Sequence, residues 1–125
     1  MGLFGGLLGH GTEVDAAKLA QRLDGVLLDN EQVHVAFKVI RDLFVFTSAR
    51  LILIDVQGIR GKKVSYLTIP YRAITRFSVE TAGTFDLEAE LKVWISGSDK
   101  PIERTLTKGT DIRGLQRALA WGVLK

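Results

Sequence analysis

The chain contains no cysteine. That excludes disulfides, thiolate nucleophiles and sulfur-based zinc sites, and it agrees with a reducing cytoplasm, where we expect the protein to work. Histidine is nearly as scarce: His10 and His34 have no partner at metal-ligand spacing, and His34 reads as a surface residue opposite Val33 and Val35. No apolar run approaches the ~18–20 residues of a membrane-spanning helix. The opening MGLFGGLLGHG lacks the positive and sustained apolar regions of a signal peptide. Gly6 stands where a myristoylation motif built on Gly2 would want Ser or Thr. Charge of one sign is also lacking. The 17 basic and 14 acidic residues give a net +3, scattered along the chain, which describes a solvated mixed surface better than a nucleic-acid footprint. The tyrosines and phenylalanines form no stacking platform interleaved with Arg, so no nucleic-acid partner is expected.

Catalytic constellations are missing as well. Gly58-Ile59-Arg60-Gly61-Lys62-Lys63 is two residues too short for a phosphate loop and has no Ser or Thr after the lysine, so it reads as a hairpin turn with exposed lysines. Ser48, Ser65 and Ser78 have no nucleophile elbow around them. Glu88 and Glu90 share a strand face, but with Lys92 beyond them the alternation is that of an outer face, not of paired catalytic carboxylates. We expect no enzyme activity and no cofactor.

What is present is enough for one domain. A chain of 125 residues with 46% hydrophobic and 25% charged content can build a single core. Residues 1–11 form an apolar segment in which five glycines oppose a helix, while Leu3, Phe4, Leu7 and Leu8 keep helical spacing. It needs a surface to fold on: the domain, a second subunit or a membrane. The domain itself is expected over 12–125. Thr12 and Asp15 resemble a capping box opening a helix over about Glu13–Asp24, with Ala16, Leu19, Ala20 and Leu23 on its apolar face and Val14, Lys18 and Arg22 along another line. Gly25 can supply its left-handed end.

Beyond the turn at Asp29-Asn30 the period changes from helical to two, the mark of half-buried strands. Strands are expected over about Val33–Ile40, Leu43–Phe46, Arg50–Val56, Lys63–Pro70, Thr75–Glu80, Asp86–Ser96 and Ile102–Thr107, with Arg41-Asp42 as the first turn and one helical turn at Tyr71–Ile74. A last helix, capped by Thr110, carries an Ile112, Leu115, Leu119 stripe widened by Ala118 and Trp121. Seven antiparallel strands followed by a helix with one apolar stripe imply a mainly β fold: a bent barrel or sandwich capped by the C-terminal helix, with an extra N-terminal helix.

The stretch FKVIRDLFVFTSARLILIDVQGIRGKKVSY (Phe37–Tyr66), followed by IPYRAITRFSVETAGTFDLEAELKVWISG (Ile69–Gly97), resembles the bacterial pleckstrin homology (PH) domain family, a group of small proteins of unknown function, over about residues 12–124. The resemblance implies the fold and a tendency of relatives to form symmetric rings; it implies no reaction. Eukaryotic PH domains that hold phosphoinositides use a Lys followed by an Arg-x-Arg pattern at the first hairpin. Here that region offers Lys38, Arg41 and Arg50 as possible anion contacts, with Lys62 and Lys63 further on, but no Arg-x-Arg, so no phosphoinositide selectivity is expected.

Trp94 falls on the polar face of its strand, and Ile40, Ile52 and Ile54 lie on faces opposite apolar neighbours. Strands apolar on both faces must bury both. Either the N-terminal helix covers the outer face or another subunit does, and the ring-forming tendency favours a homo-oligomer with Trp94, Ile40, Ile52 and Ile54 at the contact. Two functions follow as expectations. One is a self-assembling, non-enzymatic scaffold or adaptor, with peripheral membrane contact left open. The alternative is a binding module for a small ligand or lipid headgroup at the open end of the barrel.

Overall fold

A computed structural model describes residues 16–81, 83 and 88–125. Residues 1–11, the capping box at Thr12 and Asp15, and the start of the 86–96 strand lie outside the described residues.

Helix α1 (Ala16–Arg22) precedes four antiparallel strands: β1 (Val33–Val39), β2 (Asp42–Thr47), β3 (Arg50–Gln57) and β4 (Lys63–Pro70). A single 3-10 turn, Tyr71–Ala73, leads to β5 (Ile74–Thr81), β6 (Ala89–Ile95) and β7 (Ile102–Leu106), and helix α2 (Ile112–Val123) follows. Two sheets result, ordered β1-β2-β3-β4 and β5-β6-β7, each strand antiparallel to its neighbour. This is the expected mainly β, PH-like architecture.

The period-two pattern decides which side chains meet. Val35, Phe37 and Val39 of β1 face inward with Phe44, Phe46, Leu51 and Leu53, meet Leu91 and Val93 of β6, and are closed over by Ile112, Leu115, Ala118 and Leu119 of α2. Leu115 and Leu119 are fully buried, as their stripe requires. The helix comes so close that a Cβ at Gly122 would collide with the Tyr71 ring, so only glycine fits there. Its cap is Asp111 rather than Thr110: the Asp111 carboxylate accepts the Gly114 N–H at 3.0 Å, the stronger charged acceptor at the positive helix end.

The outer face of the four-stranded sheet has its own core. Leu19 and Leu23 of α1 pack on Ala36, Leu43, Val45, Ile52 and Ile54. Ala20, expected on the apolar face of this helix, is exposed instead, because the stripe that touches the sheet is narrower than the sequence suggested. The first hairpin also departs from expectation. Its loop is Ile40-Arg41, since Val39 pairs directly with Asp42. Ile40 takes φ +60°, a left-handed conformation unusual for a β-branched residue.

Candidate functional site

The candidate anion contacts separate into two groups. Arg50 opens β3 and belongs to a structural hub. Its Nε and Nη2 donate to the two Glu31 carboxylate oxygens at 2.9 and 3.0 Å. Nη2 also donates to the Val26 carbonyl at 2.7 Å, and Nη1 to the Thr68 hydroxyl at 2.9 Å. Four of the five guanidinium N–H groups of Arg50 are thus engaged within the chain. Its role is to tie the link after α1 to β3 and β4.

Glu31, with 1% of its side chain exposed, also accepts from the Thr47 hydroxyl and from the Leu28 N–H. The Arg50 guanidinium, assisted by those two donors, overrides burial and pulls the Glu31 carboxyl down from 4.5 to about 2. Tyr71 completes the hub by donating to the Thr47 carbonyl at 2.8 Å. Burial first and the Glu31 charge second push its phenol above the ordinary range. Glu31 had no signal in the sequence. It lies in a polar link, and its partner is far along the chain.

Lys38 and Arg41 have a different setting. They line a groove of about 790 Å³ on the outside of the barrel. Lys38 shares the outer face of β1 with Ala36, and Arg41 projects from the first loop, where its Nη1 donates to the Gly58 carbonyl at 2.9 Å. That bond ties the first loop to the β3–β4 loop. Lys18, Leu19 and Arg22 of α1 form one wall; Leu43 and Val56 form the floor; Ile59, Arg60 and Gly61 of the β3–β4 loop form the rim. Among the described residues five bases and no acid border the groove. The nearby Asp42 carboxylate accepts the Val56 N–H at 2.8 Å.

Lys62 and Lys63 follow the rim as exposed residues. Among the expected anion contacts the fold therefore gathers Lys38 and Arg41, places Lys62 and Lys63 beside them, and turns Arg50 towards Glu31. Sequence reasoning missed Arg60 and Ile59. An isoleucine held between glycines and bases in a short loop was the available signal, and Ile59 is 99% exposed.

The expected interface residues separate too. Ile52 and Ile54 are buried at 0% and 2% exposure beneath Leu19 and Leu23, so they offer no surface to another subunit; α1 satisfies the apolar outer face within the chain. Ile40 is 70% exposed at the first loop. Trp94 is half-buried, paired across β5–β6 with Arg76, whose guanidinium lies 4.4 Å from the ring centroid. This cation–π stack is a local reason for a Trp on a polar face. His34 is half-buried rather than a free surface residue, with its ring 4.6 Å from Trp121. Burial, and secondarily Lys125, lowers its pKa.

A surface that the sequence did not single out is β4. Among the described residues it has a hydrogen-bonded neighbour on one side only. Residues 63–68 are all exposed, Val64, Tyr66 and Leu67 among them. Among the described residues no cluster of His, Asp or Glu is placed to hold a metal, and no helix is long and apolar enough to cross a membrane.

Comparison with known proteins agrees with this architecture. A family model described as bacterial PH domain matches residues 2–123. The uncharacterized protein YjqA of Bacillus subtilis (strain 168) is 50% identical over 121 residues, covering 96% of this chain and 97% of its own. A crystal structure of a pleckstrin homology domain from Shewanella amazonensis SB2B is 56% identical with a TM-score of 0.86, over 99% of this chain and 100% of that one. A DUF1696 family protein with a pleckstrin-homology domain from Shewanella loihica PV-4 is also 56% identical, with a TM-score of 0.78, over 92% and 98% of the two chains.

Proposed function

This chain belongs to the bacterial PH domain family, and from that premise we propose that it is a non-enzymatic interaction module that self-assembles into a homo-oligomer and serves as a scaffold or adaptor. The observation that carries this reading is the bare edge of β4. An eight-residue strand with one edge unpaired among the described residues and apolar side chains on both faces is a template for another strand. Val64 and Tyr66 lie on one face and Leu67 on the other. Proline enters only at the strand's last residue, Pro70, and charge only at its first, Lys63, so the usual protections of an edge are missing from its middle.

Trp94 lies in the other sheet and supplies a second, different patch. A contact joining β4 of one subunit to the Trp94 region of the next is heterologous and closes into a ring by rotation. The groove beside α1 does not support a ligand at the open end of the barrel, because it lies on the outer face.

The test is molar mass by light scattering at tens of micromolar, roughly the range where weak interfaces persist. Wild type is expected as an oligomer, and Leu67→Lys, which places a charge on the edge, as a monomer with an unchanged far-UV spectrum. A wild-type monomer at that concentration overturns the reading.

A further inference from the structure

Where α2 ends, four side chains from separate parts of the chain converge. Trp121 lies in the last turn of the helix, Tyr71 opens the 3-10 turn, His34 belongs to β1, and Lys125 follows the helix cap. The Trp121 and Tyr71 rings stand at 82° with their centroids 6.0 Å apart, so they form a corner with two aromatic walls. The Lys125 ammonium sits in that corner, 4.4 Å from the Trp121 centroid and 5.4 Å from that of Tyr71. Both distances are within the roughly 6 Å over which a ring face attracts a cation. Among the described residues no carboxylate pairs with this ammonium.

The walls are fixed before any cation arrives. Tyr71 is buried, its hydroxyl donates to the Thr47 carbonyl, and Gly122 leaves room for its ring against the helix. Trp121 is half-buried, with the His34 ring 4.6 Å away. Burial, and next the Lys125 charge, disfavour the His34 imidazolium, which keeps that ring a neutral neighbour rather than a competing charge. Rings already held in place lose little freedom when a cation binds.

We propose that the Trp121–Tyr71 corner is a binding site for a quaternary ammonium group, and that the chain's own Lys125 occupies it until a ligand displaces it. A methylated ammonium is the better occupant, because it gives up less hydration than a primary one and offers the rings an apolar as well as a charged surface. The Lys125 side chain is exposed, so it can swing out without disturbing the core. Trp94 supplies the contrast: among the described residues it offers the Arg76 guanidinium one ring, not a corner. The site does not rest on self-assembly, since its residues lie outside β4 and β6.

The test is NMR of the full chain. The signals of the two indole N–H groups and the His34 ring protons are followed during titration with choline, against sodium chloride at equal ionic strength. Saturable shifts are expected at Trp121 and His34 and not at Trp94. Lys125→Gln removes the internal competitor and should tighten binding several-fold, the order of one cation–π contact. The neutral carbon analogue of choline, with a tert-butyl group in place of the trimethylammonium, should bind about tenfold more weakly or worse.

Trp121→Leu should abolish binding. That variant also touches the core, so its melting midpoint is measured with it, and the Lys125→Gln comparison stands without it. A trimethyl-lysine peptide carries the same group on a protein tail; whichever of peptide and choline binds more tightly identifies the source. The proposal is overturned if Trp121 moves no more in choline than in sodium chloride, if the neutral analogue binds equally well, or if Lys125→Gln leaves the affinity unchanged.

Discussion

Arg41 and Arg50 flank the same strand, β2, and carry the same charge, yet the fold uses them in opposite ways. Arg50 has a carboxylate waiting. Glu31 is buried beside it, and together they fix the link after α1 against β3. Among the described residues Arg41 has none, because the adjacent Asp42 turns to the Val56 N–H; there Arg41 bonds the Gly58 carbonyl and stays exposed with Lys38 and Arg60. The supply of acid within reach, not the base itself, decides which end of the sheet is structural and which presents charge. A buried charge must be paired, whereas a solvated one can wait for a partner.

The largest expected effect breaks the structural end. Arg50→Ala leaves the Glu31 carboxylate buried without its counter-charge and should cost roughly 3–5 kcal/mol in urea denaturation. Lys38→Ala, at the other end, should change stability by no more than about 0.5 kcal/mol. Equal losses would erase the distinction between the two ends.

A somewhat smaller effect appears on acidification. The folded pKa of Glu31 lies near 2, below its ordinary 4.5. A depressed carboxyl pKa gives stability that is fully present above the unfolded value and disappears as pH falls through the folded one. Wild type should therefore lose about 3 kcal/mol from this group between about pH 5 and pH 2. Glu31→Gln starts less stable at neutral pH and lacks this loss, so the two stability curves should converge on acidification. Parallel curves would show that the hub does not titrate as argued.

How much of this was legible in the sequence follows from the range of each interaction. Alternation is local, so β4 and the inner face of β1 could be read directly, and so could the Ile112, Leu115, Leu119 stripe. Ile52 and Ile54 were legible as buried, but not what buried them. One face of a strand does not say whether a helix of the same chain or another subunit lies over it, and here Leu19 and Leu23 do. Arg50 was legible as a base, whereas its partners come from Val26, Glu31 and Thr68, brought together only by tertiary structure. The groove has the same character. Lys18 and Arg22 were visible along one line of a helix, and nothing in the sequence set that line opposite Lys38 and Arg60. The Ile40-Arg41 loop shifted by one residue because Val39–Asp42 pairing outweighed the usual preference for glycine where φ is positive.

The smallest expected effect sharpens the presenting end. Ile40 holds a left-handed backbone that costs a side chain with a Cβ roughly 1–2 kcal/mol, and its own side chain is mostly in water. Ile40→Gly removes that strain, while the extra freedom of glycine in the unfolded chain offsets part of the gain. The net expectation is about 0.5–1 kcal/mol of added stability, seen as a rise of a few degrees in the melting midpoint. A fall in the midpoint instead shows that the Ile40 side chain supports the hairpin.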